Sequence, residues 1–156
     1  MSTKGNALKN TNNDVIADGI MSPELINNLQ ASGTKKVYTT DDTLAFGDVV
    51  YFKASGNVGI ANATTGTTMG VVAMCVDATI TAGNAGNFLT LGYARNDAWN
   101  WLTVAGSLFV SITGTTGNTL VQSPVSGSAK VSQTIGQALS ATTIYFNPNR
   151  SKIMLI

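Results

Sequence analysis

A chain of 156 residues has room for one hydrophobic core, and this one carries only 11% charged side chains, nine basic against eight acidic, for a formal charge of +1. That balance offers no basic stripe, so no direct nucleic-acid partner is expected. With no histidine and a single cysteine, the usual general base, a disulfide framework and a structural zinc site are all excluded.

Residues 1–18 read as an extended arm, because an Asn-, Thr- and Ser-rich segment has no periodicity and few apolar side chains. Ordering it costs about 1–2 kcal/mol of backbone entropy per residue. A partner outside the arm must supply the order, with Leu8 and Val15 as its candidate interface residues. "SPELINNLQASG" then has the parts of one short helix over about 22–31. Ser22 can cap it, Pro23 suits the first position, Glu24 favours the positive end, and Gly33 can end it. Leu25, Ile26 and Leu29 share a face, which makes Leu25 and Leu29 further candidates for an interface. The expected organisation is residues 1–34 as arm plus helix and 35–156 as one β domain.

From Lys36 onward short Val, Ile, Thr, Tyr and Phe runs alternate with Gly, Asn, Asp and Ser turns, the pattern of an all-β domain. Strands are expected at "KVYTT", "DVVYFKA", "NVGIA", "MGVVAMCVD", "NFLTLGYA", "WLTVAG", "SLFVSIT", "TLVQ", "AKVSQ" and "TTIYFN". A single sandwich or partly closed barrel accommodates them. Two stretches, from Phe46 to Val76 and from Ala105 to Leu139, echo each other in their order of strand, Gly-Asn turn, strand, Gly/Thr/Ser loop and Gly-led strand.

Met69 to Val76 is the longest apolar run, too short to span a bilayer, so no membrane partner is expected. An apolar signal region is missing from the start, so synthesis in the cytoplasm is expected. Cys75, inside that run, reads as a small buried hydrophobe. The final "KIMLI" brings Ile153 and Leu155 to a tail that either adds an edge strand to its own sheet or docks on a neighbouring subunit.

Little catalytic chemistry is written in the chain. Asp41, Asp42 and Asp48 sit where turns need them, and a calcium site on Asp41 and Asp42 lacks the alternation of an EF-hand loop. There is no GxGxxG and no GxxxxGK[ST]. No catalytic, cofactor-binding or metal-binding residue is assigned, and the chain is not expected to be an enzyme. The strongest contact candidate is "YARNDAWNWL", which gathers Tyr93, Arg95, Trp99 and Trp101. These tryptophans either form a contact surface, cap one end of the β core, or stack on sugar rings.

The pattern "LAFGDVVYF…GNVGIANATTGTTMGVVA…AGNFLTLGYARN" resembles the small β modules of tailed-bacteriophage virion proteins, of the capsid-decoration and head-fibre type. Gly47, Asp48, Val50 and Tyr51 match the first strand element of those modules, and Gly70, Val71 and Ala73 match the second. The likeness covers roughly residues 36–110, and the N-terminal arm and helix have no counterpart in it. It implies a non-enzymatic virion structural protein on the capsid surface, made in the host cytoplasm. The implied partners are the major capsid protein and copies of the chain itself, as a homotrimer. A tail or fibre component that binds a host glycan is the alternative.

Overall fold

The computed structural model describes Leu8–Lys9, Val15–Ile16 and residues 30–156. The chain divides into two compact units, residues 1–30 and 31–156. In the first, β1 (Leu8–Lys9) pairs antiparallel with β2 (Val15–Ile16), Leu8 opposite Ile16 and Lys9 opposite Val15. The expected helix, with Leu25 and Leu29, lies outside the described residues up to position 29. Its expected end does not hold: Ala31 opens a strand and Gly33 lies inside it, because a partner strand far along the chain offers this segment a full ladder.

The second unit is all β among the described residues apart from one 3-10 turn at Gly66–Thr68. Its strands are β3 (Ala31–Thr39), β4 (Leu44–Ala45), β5 (Val49–Phe52), β6 (Val58–Ile60), β7 (Val71–Cys75), β8 (Thr79–Ile80), β9 (Ala85–Arg95), β10 (Ser107–Thr115), β11 (Asn118–Val121), β12 (Val131–Ser132), β13 (Thr134–Ala138), β14 (Thr143–Phe146) and β15 (Ile153–Met154).

The architecture follows from β9, which pairs along one edge with β3 and splits its other edge between two partners. Its first half pairs with β7 (Leu89 opposite Met74, Phe88 opposite Cys75), its second with β14 (Tyr93 opposite Tyr145). Two branches leave it, β7-β5-β6 and β14-β13-β10-β11. Between them lies the main core, with Val49, Met74, Leu89, Ala94, Leu108, Ile135, Ile144 and Phe146. A second core of Leu44, Val50, Val58, Ala73, Cys75, Ile80 and Phe88 fills the other face of the first branch. Adjacent residues therefore serve opposite faces, Val49 with Val50 and Phe88 with Leu89, as the two-residue period of a strand dictates. Thr40, just after β3, forms a single parallel bridge to Val58 of β6. One bridge in place of a ladder leaves the first branch curled around its core without becoming a closed barrel, and the whole is a sandwich-like all-β fold.

Bulges make these faces consistent. Leu89 and Ala94 both enter the main core, although an interval of five residues puts them on opposite faces of a regular strand. The register against β3 jumps from Thr34–Leu91 to Lys35–Leu89, leaving Thr90 as the extra residue. Thr90 Oγ1 then donates to Thr34 O at 3.0 Å. Further along, Gly33 faces Gly92 with φ of 144° and 143°. A Cβ on Gly33 would strike Leu91 O, and one on Gly92 would strike Ser32 O, so close backbone approach demands glycine at both.

The two echoing stretches fold alike. β5, β6 and β7 take the order β6-β5-β7, and β10, β11 and β13 take the order β11-β10-β13. Each third strand carries one extra residue at the same place: Val72 between the pairs Val50–Ala73 and Tyr51–Val71, and Ile135 between Leu108–Gly136 and Phe109–Thr134.

Two strand expectations are corrected. "WLTVAG" forms no ladder, because side chains from elsewhere hold its backbone in a loop, and "AKVSQ" contributes only the two residues of β12. β13 is a strand that the sequence pattern did not reveal.

Candidate functional site

The loop joining β9 to β10, residues 96–106, is irregular but pinned along its length. Asn96 N donates to Thr142 O at 3.0 Å, Trp101 N to Ala141 O at 2.9 Å and Ala105 N to Ala138 O at 2.8 Å. Gln122 treats Thr103 as a neighbouring strand would, its Oε1 accepting from Thr103 N at 3.1 Å and its Nε2 donating to Thr103 O at 2.7 Å. Gln137 Nε2 donates to Ala105 O at 2.7 Å, and Ala105 itself stands at φ 62°.

This fixed backbone turns Trp99 and Trp101 onto the main core, both half-buried. Their ring centroids are 5.6 Å apart, and Phe46 lies 6.0 Å from Trp99. Gly47, at φ 92°, makes room for the first indole: a Cβ there would sit 2.7 Å from Trp99 Cζ2. The rings, with Asn100, Asn118 and Leu120, line a cleft of about 210 Å³. Trp101 Nε1 is buried without a hydrogen-bond partner.

Beneath the cleft lies Asp48. Its carboxylate accepts from Ala45 N at 2.8 Å, Gly117 N at 2.9 Å and the Thr119 hydroxyl at 3.2 Å, and Thr119 Oγ1 accepts from Val49 N at 3.0 Å. Burial pushes its pKa up, against the hydrogen bonds from Ala45, Gly117 and Thr119. The group ties the turn before β5 to the turn after β10.

The sequence-selected residues do not converge on one place. Tyr93 is 52% exposed and packs on Tyr145 at 5.1 Å, outside the cleft. Arg95 pairs with Asp97 at 2.8 Å on an exposed surface, an interaction worth little. Leu8 and Val15 lie in the separate first unit. Ile153 pairs with Ser132 across β12 and β15 and is 66% exposed. Leu155 donates from its N to Lys130 O at 2.8 Å and accepts from Ala129 N at 2.8 Å, so the tail hydrogen-bonds to its own chain.

Asp41 and Asp42 both face Lys53, at 3.7 and 3.3 Å. A hydrogen bond from Asn57 at 2.6 Å, chiefly, holds the Asp41 pKa below its ordinary value. Asp42 accepts from Ile60 N at 2.9 Å. These contacts clip the β5–β6 hairpin to the segment after β3. Among the described residues no three acidic, cysteine or histidine side chains gather as a metal-holding group. Cys75 is buried, and that burial pushes its thiol pKa up to about 12.

Two surfaces escaped the sequence reading. Leu102 and Val104, 86% and 60% exposed, stand on the pinned loop. The long β3 pairs only with β9 among the described strands, and Ser32 to Val37 are exposed.

The fold defines a sandwich-like all-β protein. No protein-family model matches the chain, and no curated protein is significantly similar to it.

Proposed function

We propose that this chain is a non-enzymatic structural protein of a tailed-phage particle, decorating the capsid surface and held there by contacts with the major capsid protein and with its own copies as a homotrimer. The observation that carries the proposal is the outward-facing apolar set on a nearly neutral body. Val37, Tyr93, Leu102, Val104, Ile153 and Met154 are each more than half exposed, on a chain of net charge +1. Apolar side chains presented on pinned backbone lose little further freedom on docking, which favours assembly contacts. The resemblance of Gly47–Tyr51 and Gly70–Ala73 to virion β modules supplies the setting. The arm is the anchor in this proposal. Deleting residues 2–18 leaves the melting of the β domain within about 2 °C and abolishes incorporation into particles; normal incorporation without the arm refutes the anchor.

A second proposal, a tail or fibre component that binds a host glycan, draws on the aromatic cleft. Half-exposed indoles flanked by the amides of Asn100 and Asn118 suit a sugar ring. Quenching of Trp99 and Trp101 emission by a glycan, lost in Trp99→Ala, supports it, and a glycan panel that leaves emission unchanged removes it.

A further inference from the structure

β3 is nine residues long, and among the described strands it has one partner, β9, so its other edge carries a row of main-chain donors and acceptors that no described strand takes up. The residues along this edge, Ser32 through Val37, are exposed. Lys35 and Lys36 stand at its middle. Two β3 edges brought together antiparallel about their centres would set these lysines against their counterparts, and like charges directly opposite destabilise a ladder. The edge therefore repels a second copy of itself and favours an extended segment that carries acid.

The chain contains such a segment. In the sequence Asp14-Val15-Ile16-Ala17-Asp18, two carboxylates flank β2 and no base intervenes. β2 adopts strand conformation and pairs with β1 in a two-stranded sheet of its own, separate from the β3 ladder. The far edge of β2 and the outer edge of β3 are both without a partner strand among the described ladders of one chain. In an antiparallel register with Ile16 opposite Lys35, Asp14 and Asp18 both lie diagonal to Lys35, and with Ile16 opposite Lys36 both lie diagonal to Lys36, within reach of a cross-strand ion pair.

We infer that the outer edge of β3 receives the Asp14–Asp18 segment of a second copy of this chain, adding a strand to the neighbour's sheet. Main-chain hydrogen bonds supply the affinity, and the charges of Asp14 and Asp18 against Lys35 or Lys36 select the partner. The near-neutral body offers no long-range repulsion between copies. This assignment rests on the proposal above that the arm binds neighbouring subunits, and it gives the arm its seat.

The test is sedimentation velocity of the purified full chain from low to high micromolar concentration at low salt, with four proteins: wild type, Lys35→Glu/Lys36→Glu, Asp14→Lys/Asp18→Lys, and the combination of all four changes. The expected result is concentration-dependent association of the wild type, weakened tenfold or more in each charge-reversed protein and restored in the combination. Near-UV circular dichroism and tryptophan emission check that the β domain is intact in each. A wild type that remains monomeric throughout overturns the inference, as does a combination that fails to regain association. Monomers in which the arm is protected from proteolysis by wild-type charges alone assign the edge to the chain's own arm and also overturn it. Association in solution without incorporation into particles fails the capsid proposal and leaves this one standing; incorporation without self-association does the reverse.

Discussion

Replacing Asp48 tests how the two halves of the fold are tied beneath the tryptophan cleft. Asp48 is 1% exposed, and its carboxylate accepts from two main-chain amides and one hydroxyl. Asp48→Ala leaves Ala45 N, Gly117 N and the Thr119 hydroxyl without their acceptor. Each buried donor left unpaired costs about 1–3 kcal/mol, and because the amides are only partly buried the total falls near the low end, about 3 kcal/mol. For a domain of this size that lowers Tm by about 10 °C. Asp48→Asn keeps an oxygen for the amides and can donate to Thr119 Oγ1, so its cost is about 1 kcal/mol. The pH dependence has a definite sign. Burial raises the Asp48 pKa in the folded protein, so ionisation costs stability, and the wild type loses ground to Asp48→Asn as pH rises from about 4, the unfolded value, through the folded pKa. Urea melts of the three proteins between pH 4 and 8 measure both effects. Equal losses for Ala and Asn, or a wild-type advantage over Asn that grows with rising pH, refute the tie.

Gly92→Ala forces a Cβ into Ser32 O at a φ of 143° and is expected to cost about 3 kcal/mol or more in denaturant melts, beyond the roughly 1–2 kcal/mol expected of Gly56→Ala, where a Cβ meets nothing within 4 Å and only the positive φ opposes a side chain. At Gly56 the cost is that of a φ of 88° alone, so Gly56→Ala gives the scale of positive-φ strain that the Gly92→Ala loss must exceed. Gly47→Ala pushes Trp99 off the main core and is expected to shift tryptophan emission to the red, with Phe46 losing its packing against the indole. Cys75, buried with its thiol pKa pushed up to about 12, is expected to resist a thiol reagent at pH 8 in the native protein and to react stoichiometrically in urea; rapid native labelling contradicts its burial.

The parts of this fold that were legible in the sequence are those whose own residues alternate between bounding turns, β9 and β14 among them although they pair from far apart along the chain. β5, β6 and β7, and β10 with β11, announce themselves through alternation and intervening Gly turns, and the echo between the two stretches reappears as matched bulges at Val72 and Ile135. Trp101 to Gly106 read as a strand because Trp, Leu and Val favour the pleated backbone. Its conformation is decided instead by Gln122 and Gln137, 19 and 32 residues away from the groups they hold, and local propensity carries no trace of them. β13 escaped because Gly136 and Gln137 dilute its pattern, yet Gly136 is required there, since a Cβ would strike Tyr145 O. Ala31 to Thr34 resembled the end of a helix for a similar reason. Gly33 serves close approach to Gly92, a residue 59 positions further on. As for the candidate site, the aromatic residues were visible as a cluster, but their separation was not. Tyr93 and Arg95 belong to β9 and the tryptophans to a loop that turns them onto the core.

The number of copies of this chain per purified particle, measured by quantitative mass spectrometry against the major coat subunit, bears most directly on the proposed role. The capsid-decoration account predicts a number comparable to the coat subunit. A few copies per particle contradict it and move the chain to the tail or fibre, and a chain missing from particles contradicts both.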